Sequence, residues 1–348
     1  MSHLSDLLNH AIGQLRQQGS VDMSLCEAVL AWERRTPERS QALGLTSSET
    51  VEGIQERLGQ LAEVLDELLA GLPLQGQERV LENLWRLWLP LARQLAQLRR
   101  ESSRPIVQGI LGGQGTGKTT LARALSVILG HLGYRTLGLS LDDLYKSHAE
   151  RQRLKADDPR LVRRGPPGTH DVELGLQVLQ QLRRGESPVA IPRFDKSAFA
   201  GDGDRMAPEE VEGADIILFE GWFVGVEPID ASCFERPPAP ICTAEDKAFA
   251  RDCNQRLAEY LPLWDCCDRL MVLFPVDYRL SQRWRLQAEH DAIAQGKAGL
   301  SDEEIREFVE YFWKALHPEL FITPLIAPEA KSALVVTLEA DHGIGSIR

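Results

Sequence analysis

The 348-residue sequence has a shortage of basic residues and no long apolar run. It contains 39 lysines and arginines against 51 aspartates and glutamates, so its formal net charge is −12. Because nucleic acids are bound through clustered lysine and arginine side chains, this charge argues against a nucleic-acid partner. No apolar run approaches the roughly 20 residues that span a bilayer, and the polar start at Met1 lacks the layout of a signal peptide. These absences predict a protein of the cytoplasm that binds neither nucleic acid nor membrane.

Cysteine is sparse, and two sequence signatures of guanine-nucleotide switches are missing. The six cysteines are scattered without a C-x-x-C pair, and Cys266 and Cys267 are neighbours. This spacing predicts reduced, mostly buried thiols, with neither a disulfide framework nor a zinc site. The sequence also contains no N-K-x-D and no D-x-x-G segment, which a GTP-hydrolysing switch would use to bind guanine and to sense the γ-phosphate. Such a switch is therefore not expected.

A glycine-rich stretch fits the pattern G-x-x-x-x-G-K-[ST]. It lies between an apolar run at 106–111 and a helix-forming run at 121–125, and it consists of Gly112-Gly113-Gln114-Gly115-Thr116-Gly117-Lys118-Thr119-Thr120. Gly112 and Gly117 allow backbone angles that other residues avoid, so successive N–H groups can surround phosphate oxygens. Lys118 can then reach the outer phosphates, and the hydroxyl of Thr119 can bind Mg²⁺. Residues 112–120, called the P-loop below, are the predicted nucleotide-binding site.

Acidic side chains follow two further predicted strands. An apolar run at 136–141 ends in Asp142 and Asp143, and a run at 214–219 ends in Glu220. In an open parallel sheet ligands gather at the carboxyl ends of the strands, so these carboxylates are expected beside the P-loop. We interpret one aspartate as the base for an attacking hydroxyl and the other as a helper of Mg²⁺, although an Asx turn explains the pair as well. Glu220 is the candidate Mg²⁺ carboxylate.

Arginine and lysine are concentrated in three predicted loops of this otherwise acidic chain, at 163–171, 192–197 and 201–205. The planar guanidinium of arginine suits a carboxylate or a phosphate, so these loops predict a small anionic substrate. His170 is a further candidate, whereas Asp171 is as well placed to cap a helix that starts there. Each of these residues is also compatible with a solvated loop.

The last third of the sequence predicts a strand at 270–274 and then a helix that carries Arg279, Arg283 and Arg285. Positions 279 and 283 are one turn apart and share a face, whereas Arg285 points elsewhere. We expect this pair to close over the transferring phosphoryl group, although a surface helix with salt bridges has the same pattern. A final strand at 334–338 precedes a glycine-containing tail, which is a candidate cover for an adenine ring.

Six segments carry a family resemblance when they are taken together. They are the P-loop, Ser140-Leu141-Asp142-Asp143-Leu144-Tyr145, Arg164-Gly165-Pro166-Pro167-Gly168-Thr169-His170-Asp171, Pro192-Arg193-Phe194-Asp195-Lys196-Ser197, Gly203-Asp204-Arg205 and Leu218-Phe219-Glu220-Gly221-Trp222. Together they resemble the plant and cyanobacterial type of D-glycerate 3-kinase, in the phosphoribulokinase and uridine kinase group of P-loop kinases. The resemblance runs from about 105 to about 321. It implies phosphorylation of the 3-hydroxyl of D-glycerate by ATP with Mg²⁺, the closing step of photorespiratory salvage.

The resemblance also implies roles for single residues. Asp142 matches the catalytic base, Lys118 the phosphate-binding lysine, and Arg279 with Arg283 the lid arginines. Thr119 and Glu220 match the Mg²⁺ positions. Leu144 and Gln282 depart from the family pattern, in which an aromatic residue and another arginine are found. The candidate substrate-binding residues are Asp143, Tyr145, Arg164, His170, Asp171, Arg193, Asp195, Lys196 and Arg205.

The first hundred residues lie outside the resemblance and are predicted to be helical almost throughout. Leucines recur there at three- and four-residue spacing, which is typical of helices that bury one face. We divide the chain into an N-terminal helical region, 1–101, and a P-loop kinase domain, 102–348. The expected fold is α/β, with helices on both faces of a parallel sheet and an all-helical region before it.

Two other functions stay open on the sequence alone. A P-loop kinase of the same group acting on uridine, pantothenate or a sugar phosphate has the same chemistry, and the bias toward an anionic substrate argues only weakly against it. A nucleotide-binding regulator is the second alternative, with the helical region as its binding module. The joint presence of Lys118, Thr119, Asp142 and Glu220 favours an enzyme. Protein partners are not predicted.

Overall fold

The computed structural model describes residues 3–45, 50–71, 77–294, 299–327, 330 and 333–348. Its helices are α1 (His3–Gln18), α2 (Met23–Glu33), α3 (Pro37–Ala42), α4 (Val51–Gly71), α5 (Gln77–Asn83), α6 (Leu89–Glu101), α7 (Lys118–His131), α8 (His148–Asp157), α9 (Val172–Arg183), α10 (Ala244–Arg256), α11 (Leu261–Trp264), α12 (Leu280–Ala294), α13 (Asp302–Ala315) and α14 (Pro318–Phe321). Its strands are β1 (Ile106–Gly112), β2 (Thr136–Ser140), β3 (Val189–Ile191), β4 (Phe194–Asp195), β5 (Asp204–Arg205), β6 (Glu209–Val211), β7 (Ile216–Gly221), β8 (Arg269–Pro275), β9 (Ala333–Leu338) and β10 (Ile344–Ile347).

One sheet with the strand order β10-β9-β8-β1-β7-β2 organises the fold. All neighbours from β9 to β2 are parallel, and β1 lies between β7 and β8. Alternate side chains of β1 enter two separate apolar cores, Ile106 and Ile110 on one face and Val107 and Leu111 on the other. This alternation follows from the two-residue repeat of a strand, and it requires helices on both faces. The expected α/β fold is confirmed.

The edge of the sheet departs from the prediction of a purely parallel arrangement. β10 pairs with β9 in the antiparallel direction, so residues 344–347 are part of the sheet. Cover of an adenine ring by the tail stays a prediction. Two short antiparallel ribbons, β3 with β6 and β4 with β5, lie outside the main sheet. They carry the loop segment at 192–205.

The N-terminal residues form α1 to α6, which confirms the prediction of an all-helical region. α6 ends at Glu101 and β1 begins at Ile106, with the polar stretch and Pro105 between them. Side chains of these helices share one apolar core with α7 and with one face of the sheet. The helical region is thus the layer that covers this face. No helix in the described ranges is long and apolar enough to cross a membrane.

A buried ionic cluster ties the helical layer together. The carboxylate of Glu33 contacts the guanidiniums of both Arg39 and Arg57, and the three residues are 2%, 3% and 0% exposed. The Arg57 guanidinium lies 3.7 Å from the ring centroid of Trp85, in the π-helical turn Leu84–Trp88 that joins α5 to α6. Because a buried charge is costly without an opposite partner, this arrangement makes the shared carboxylate important for stability.

The same π-helical turn connects the helical layer to the last strand. The carbonyl of Arg86 accepts a hydrogen bond from Arg39 at 3.1 Å. The guanidinium of Arg86 in turn donates to the carbonyls of Ile344 and Gly345, at 2.6 and 2.8 Å. The edge strand β10 is therefore anchored by a side chain from α5–α6, far away in the sequence.

Candidate active site

The P-loop connects β1 to α7 at the carboxyl edge of the sheet, as predicted. Gly117 precedes α7 with a φ of +81°, and no side chain caps the first N–H groups of this helix. Free N–H groups at a helix N-terminus attract phosphate. The Nζ atom of Lys118 donates to the carbonyl of Gly113 at 3.1 Å. Burial lowers the pKa of Lys118, and the carboxylates of Glu220 and Asp142 oppose this effect only in part.

Gly115 is a position of the P-loop at which a side chain would be both strained in φ and crowded. Its φ is +76°, and a Cβ atom at this position would lie 2.8 Å from the Cβ of Trp284. The ring of Trp284 stacks on His342 with 4.3 Å between the centroids, and its Nε1 donates to the carbonyl of Ala340 at 3.1 Å. The His342 ring also hydrogen-bonds to the backbone of Gly115. The P-loop thus lies against Trp284 and the turn between β9 and β10.

We expect Gly115→Ala to raise the dissociation constant for ATP by about tenfold or more, because the alanine would be strained in φ and would displace the loop from Trp284. Isothermal titration with a non-hydrolysable ATP analogue measures this effect. The matched control is Gly130→Ala in α7, where the added Cβ meets nothing within 4 Å. An unchanged affinity in Gly115→Ala would contradict a role for this close approach.

The two aspartates after β2 have different partners. The Asp143 carboxylate accepts hydrogen bonds from the N–H of Ser140 at 3.0 Å and from Arg193 at 3.1 Å. It closes a capping box at the 3-10 turn Leu141–Leu144, so the Asx-turn interpretation applies to this residue. Asp142 instead has its carboxylate 2.6 Å from the Nζ of Lys196. Asp142 is thus the aspartate of the pair whose carboxylate faces an exposed cationic side chain rather than the backbone.

The electrostatic surroundings keep Asp142 ionised. Burial alone would raise the pKa of Asp142, but the ammonium of Lys196 and hydrogen bonds from Lys196 and Tyr145 hold this pKa below its usual range. Glu220, paired in register with Ser140 on β2, shows the opposite result. Burial raises the pKa of Glu220, and Lys118 only partly opposes this effect. Glu220 is therefore a carboxylate that a cation would stabilise in its charged form.

Ser140 connects the backbone of Asp142 to the carboxylate of Glu220, a role that no sequence pattern indicated. Its hydroxyl accepts from the N–H of Asp142 at 3.2 Å and hydrogen-bonds to the Glu220 side chain. Asp142 and Glu220 also act on the charge of Lys118. The structure therefore brings together the predicted base, the predicted Mg²⁺ carboxylate and the P-loop lysine.

The loop at 163–171 reaches this site through backbone pairing. Tyr145 and His170 form an isolated antiparallel bridge, and their rings stack with 4.6 Å between the centroids. His170 is 1% exposed, and burial lowers its pKa to about 3. Its Nδ1 atom lies 2.8 Å from the hydroxyl of Tyr260, which also accepts from the N–H of Gly168 at 2.9 Å. Tyr260 was not predicted, because it lies 90 residues from His170 in a 3-10 turn without a motif.

Other predicted substrate residues form hydrogen bonds within and between these loops. Asp171 caps α9 through the N–H of Leu174 and accepts from Arg205 at 2.7 Å, which confirms its capping role. Arg205 also donates to the carbonyl of Tyr145 at 2.8 Å. The Asp195 carboxylate is bonded within its own turn, to the N–H and hydroxyl of Ser197. These contacts position the loops that surround Asp142.

The remaining two arginines of the predicted substrate set lie at the edges of the site. Arg193 joins Asp143 to Glu209, at 3.1 and 2.8 Å. Arg164 donates to the carbonyl of Gly201 at 2.6 Å, and its guanidinium lies 5.9 Å from the ring centroid of Tyr145. Lys196, Tyr145 and His170 are members of the predicted substrate set that interact favourably with the Asp142 carboxylate, whereas the Asp143 carboxylate interacts unfavourably with it.

The predicted lid arginines do not share a helix. α12 begins at Leu280, and Arg279 lies in the preceding turn, where its guanidinium is bound to Asp277 at 2.8 Å. The prediction of one helical face for the pair is wrong, because the Asp277 side chain also accepts from the N–H of Arg279 and holds it in that turn. Arg283 is exposed on α12, and Arg285 pairs with Glu289 at 2.6 Å. A lid function for Arg279 and Arg283 stays a prediction.

Comparison with known proteins identifies the family. The chain is 36% identical over 222 residues to an uncharacterized kinase of Schizosaccharomyces pombe. The aligned residues cover 61% of this chain and 80% of that kinase. It is 35% identical over 252 residues to the chloroplastic D-glycerate 3-kinase of Arabidopsis thaliana, which covers 68% of this chain. This chain belongs to the family of P-loop kinases that includes D-glycerate 3-kinase. The alignment of this chain with the plant enzyme covers about half of that enzyme, 53% of its length.

A solved structure supports the same assignment. The D-glycerate 3-kinase of Cryptococcus neoformans matches with a TM-score of 0.61 and 28% identity, over 74% of this chain and 96% of that enzyme. No family model matches the chain. The P-loop kinase fold is confirmed, and the protein is an ATP-dependent small-molecule kinase, a phosphotransferase that acts on an alcohol.

The residues of the kinase also fit Mg²⁺ bound together with nucleotide phosphates. Within the described ranges, no group of three or more His, Cys, Asp and Glu side chains is arranged to hold a metal ion by itself. Mg²⁺ in kinases is usually bound through one or two carboxylates, with phosphates and waters completing its shell. The half-buried carboxylate of Glu220 beside the P-loop and the hydroxyl of Thr119 are suitable ligands of this kind.

Proposed function

We propose that the kinase transfers the γ-phosphoryl group of ATP to the 3-hydroxyl of D-glycerate, giving 3-phosphoglycerate and ADP. The observation that carries the proposal is the position of Asp142, which lies beside the P-loop lysine and is kept ionised by Lys196 at 2.6 Å. An ionised carboxylate at this place can accept a proton from an alcohol. The identity to the plant enzyme and the similarity to the Cryptococcus enzyme support D-glycerate as that alcohol.

Asp142 is the proposed base. Its carboxylate accepts the proton of the 3-hydroxyl while the oxygen of that hydroxyl bonds to the γ-phosphorus and the bond to ADP breaks. Lys118 and the N-terminus of α7 stabilise the negative charge on the transferred group. Thr119 and Glu220 would hold Mg²⁺, which neutralises phosphate charge when it is bound.

Lys196 is the proposed partner of the glycerate carboxylate. Its side chain is 61% exposed and bound to Asp142, so it can turn from the aspartate to an incoming anion. Arg164, above the ring of Tyr145, supplies a second positive charge at the same edge. Arg193, Arg205 and Asp171 are proposed to hold the loops that present these groups.

Phosphoryl transfer from ATP with Mg²⁺ to a panel of acceptors tests the proposal. The panel contains D-glycerate, L-glycerate, uridine, pantothenate and ribulose 5-phosphate, and phosphorus NMR identifies the phosphorylated position. We expect D-glycerate to be converted to 3-phosphoglycerate with a kcat/KM at least about tenfold above that of each other compound. Turnover of another member alone would assign a different substrate to the same chemistry, and no turnover at all would favour the nucleotide-binding regulator.

Three finer properties stay predictions. Dependence on Mg²⁺ is checked by adding a chelator and restoring the metal, and location in the cytoplasm by fractionation of cells. A photorespiratory role requires that loss of the gene causes glycerate to accumulate when glycolate is being salvaged.

A further inference from the structure

Tyr260 and His170 form a buried hydrogen-bonded pair whose proton positions can be worked out. Tyr260 is 0% exposed and His170 1% exposed, so neither polar group can turn to solvent. The rings of Tyr145 and Phe223 pack against the imidazole, with centroids at 4.6 and 5.6 Å. Burial lowers the pKa of His170 to about 3, so the imidazole is neutral at physiological pH and carries one proton.

The partners of Tyr260 determine which imidazole nitrogen carries that proton. The hydroxyl oxygen accepts from the N–H of Gly168 at 2.9 Å and lies 2.8 Å from the Nδ1 atom of His170. If Nδ1 carried the proton, the hydroxyl would accept twice and its own hydrogen would be buried without an acceptor. With the hydroxyl donating to Nδ1, the hydroxyl, the Gly168 N–H and Nδ1 all have partners, and of the pair's side-chain atoms only Nε2 is left without one in the described part of the chain. The imidazole proton is then on Nε2.

In this tautomer one buried N–H group has no acceptor. The Nε2 atom of His170 has no hydrogen-bond partner among the described residues. Leaving a buried N–H group without an acceptor is unfavourable, so this donor calls for an acceptor from outside the chain. After burial, the carboxylate of Asp142 is the strongest electrostatic influence on this ring. The hydroxyl of Tyr145, whose ring stacks on His170, also hydrogen-bonds to Asp142.

We propose that Tyr260 is a positioning residue that keeps the His170 proton on Nε2, so that this N–H donates to an oxygen of the acceptor substrate beside Asp142. The inference rests on the proposed function, because it needs a hydroxylated acceptor at that carboxylate. A neutral donor suits this place for two reasons. An imidazolium would lower the basicity of Asp142, and a bare Nε2 would have no hydrogen to donate to a substrate oxygen.

Tyr260→Phe removes only the hydroxyl and is the first test. We expect KM for D-glycerate to rise about five- to tenfold while KM for ATP stays within about twofold, since one hydrogen bond to the acceptor is lost. The matched control is Tyr311→Phe, because the half-buried Tyr311 donates its hydroxyl to the carbonyl of Arg160 at 3.1 Å and not to a residue of the Asp142 cluster. A purely structural role of Tyr260 would change both KM values or neither.

Nitrogen NMR with labelled histidine is the second test, and its main observation is made on the wild-type protein. We expect the His170 signals to show a protonated Nε2 and a bare Nδ1 between pH 6 and 8, and Tyr260→Phe to shift this tautomer ratio. His170→Gln, which retains an N–H donor near the Nε2 position, assigns the signals and should keep more activity than His170→Asn.

The outcomes separate the two proposals. A protonated Nδ1 in the wild type, or equal KM values for D-glycerate in Tyr260→Phe and Tyr311→Phe, would overturn the inference. Lack of D-glycerate turnover by the wild type would overturn the proposed function instead, while the NMR result would still report on the Tyr260–His170 pair. A wild-type Nε2–H tautomer together with the selective rise in KM would support both.

Discussion

Asp142→Asn is expected to lower the turnover number of the kinase by about 10³-fold or more while the affinity for ATP stays within about threefold. The amide has the size of the carboxylate but cannot accept the proton of the attacking hydroxyl, and general base catalysis contributes roughly 10²–10⁴-fold. Steady-state kinetics with D-glycerate gives the turnover number, and titration with an ATP analogue gives the affinity. Comparable loss of ATP binding would show that Asp142 belongs to the nucleotide site.

Asp143→Asn is the matched control for this variant. The Asp143 carboxylate is bound to the N–H of Ser140 and to Arg193, so its replacement should weaken the turn and leave most of the catalytic rate. The pH profile adds an independent check. Because Lys196 holds the pKa of Asp142 below its usual range, kcat/KM of the wild type should not fall on the acid side until the pH approaches that lowered pKa. An acid limb near neutrality that persists at saturating Mg²⁺ and ATP, and so does not come from Glu220, would contradict Asp142 as the base.

Glu33→Gln is expected to lower the free energy of unfolding by about 3–5 kcal/mol, which is typical when one member of a buried ionic cluster is removed. The variant takes away the carboxylate that both Arg39 and Arg57 contact in the interior of the helical layer. Urea denaturation followed by circular dichroism measures the effect. Glu56→Gln serves as the control, because Glu56 is 60% exposed and 3.5 Å from Arg93, and it should change stability by less than about 1 kcal/mol.

A loss below about 1 kcal/mol in Glu33→Gln would contradict the stabilising role of the cluster. The activity of the folded fraction should stay close to that of the wild type, since Glu33 lies in the helical layer and not at the P-loop. This separation of stability from catalysis distinguishes the variant from Asp142→Asn.

Local sequence patterns were sufficient for the core of the fold and for the centre of the site. The P-loop, the strand before it and the acid at the end of β7 are each encoded within a few neighbouring residues. Neighbouring residues alone did not indicate which of Asp142 and Asp143 is the base. The answer depends on which carboxylate accepts the hydrogen bond from the N–H of Ser140, and the conformation of the chain after β2 determines this.

Features that depend on distant residues could not be predicted. β10 is a strand because β9 pairs with it and Arg86 binds its carbonyls, 258 and 259 residues away in the sequence. The pairing of Tyr260 with His170 and the stacking of Trp284 on His342 join segments without a common motif. The spacing of Arg279 and Arg283 suggested that both lie on one helix. In the structure the N–H of Arg279 donates to the Asp277 side chain, and Arg279 lies in the turn that precedes α12.

The shared core of the helical layer has a consequence for engineering this enzyme. The boundary after Glu101 marks a change of secondary structure, yet the apolar contacts of α7 and of one sheet face continue across it into α1–α6. A fragment excised at this boundary would present that face to water and would also lose the Arg86 anchor of β10. Shortened versions, fusions and crystallisation fragments should therefore retain the helices, and tags are better attached without disturbing the final strand.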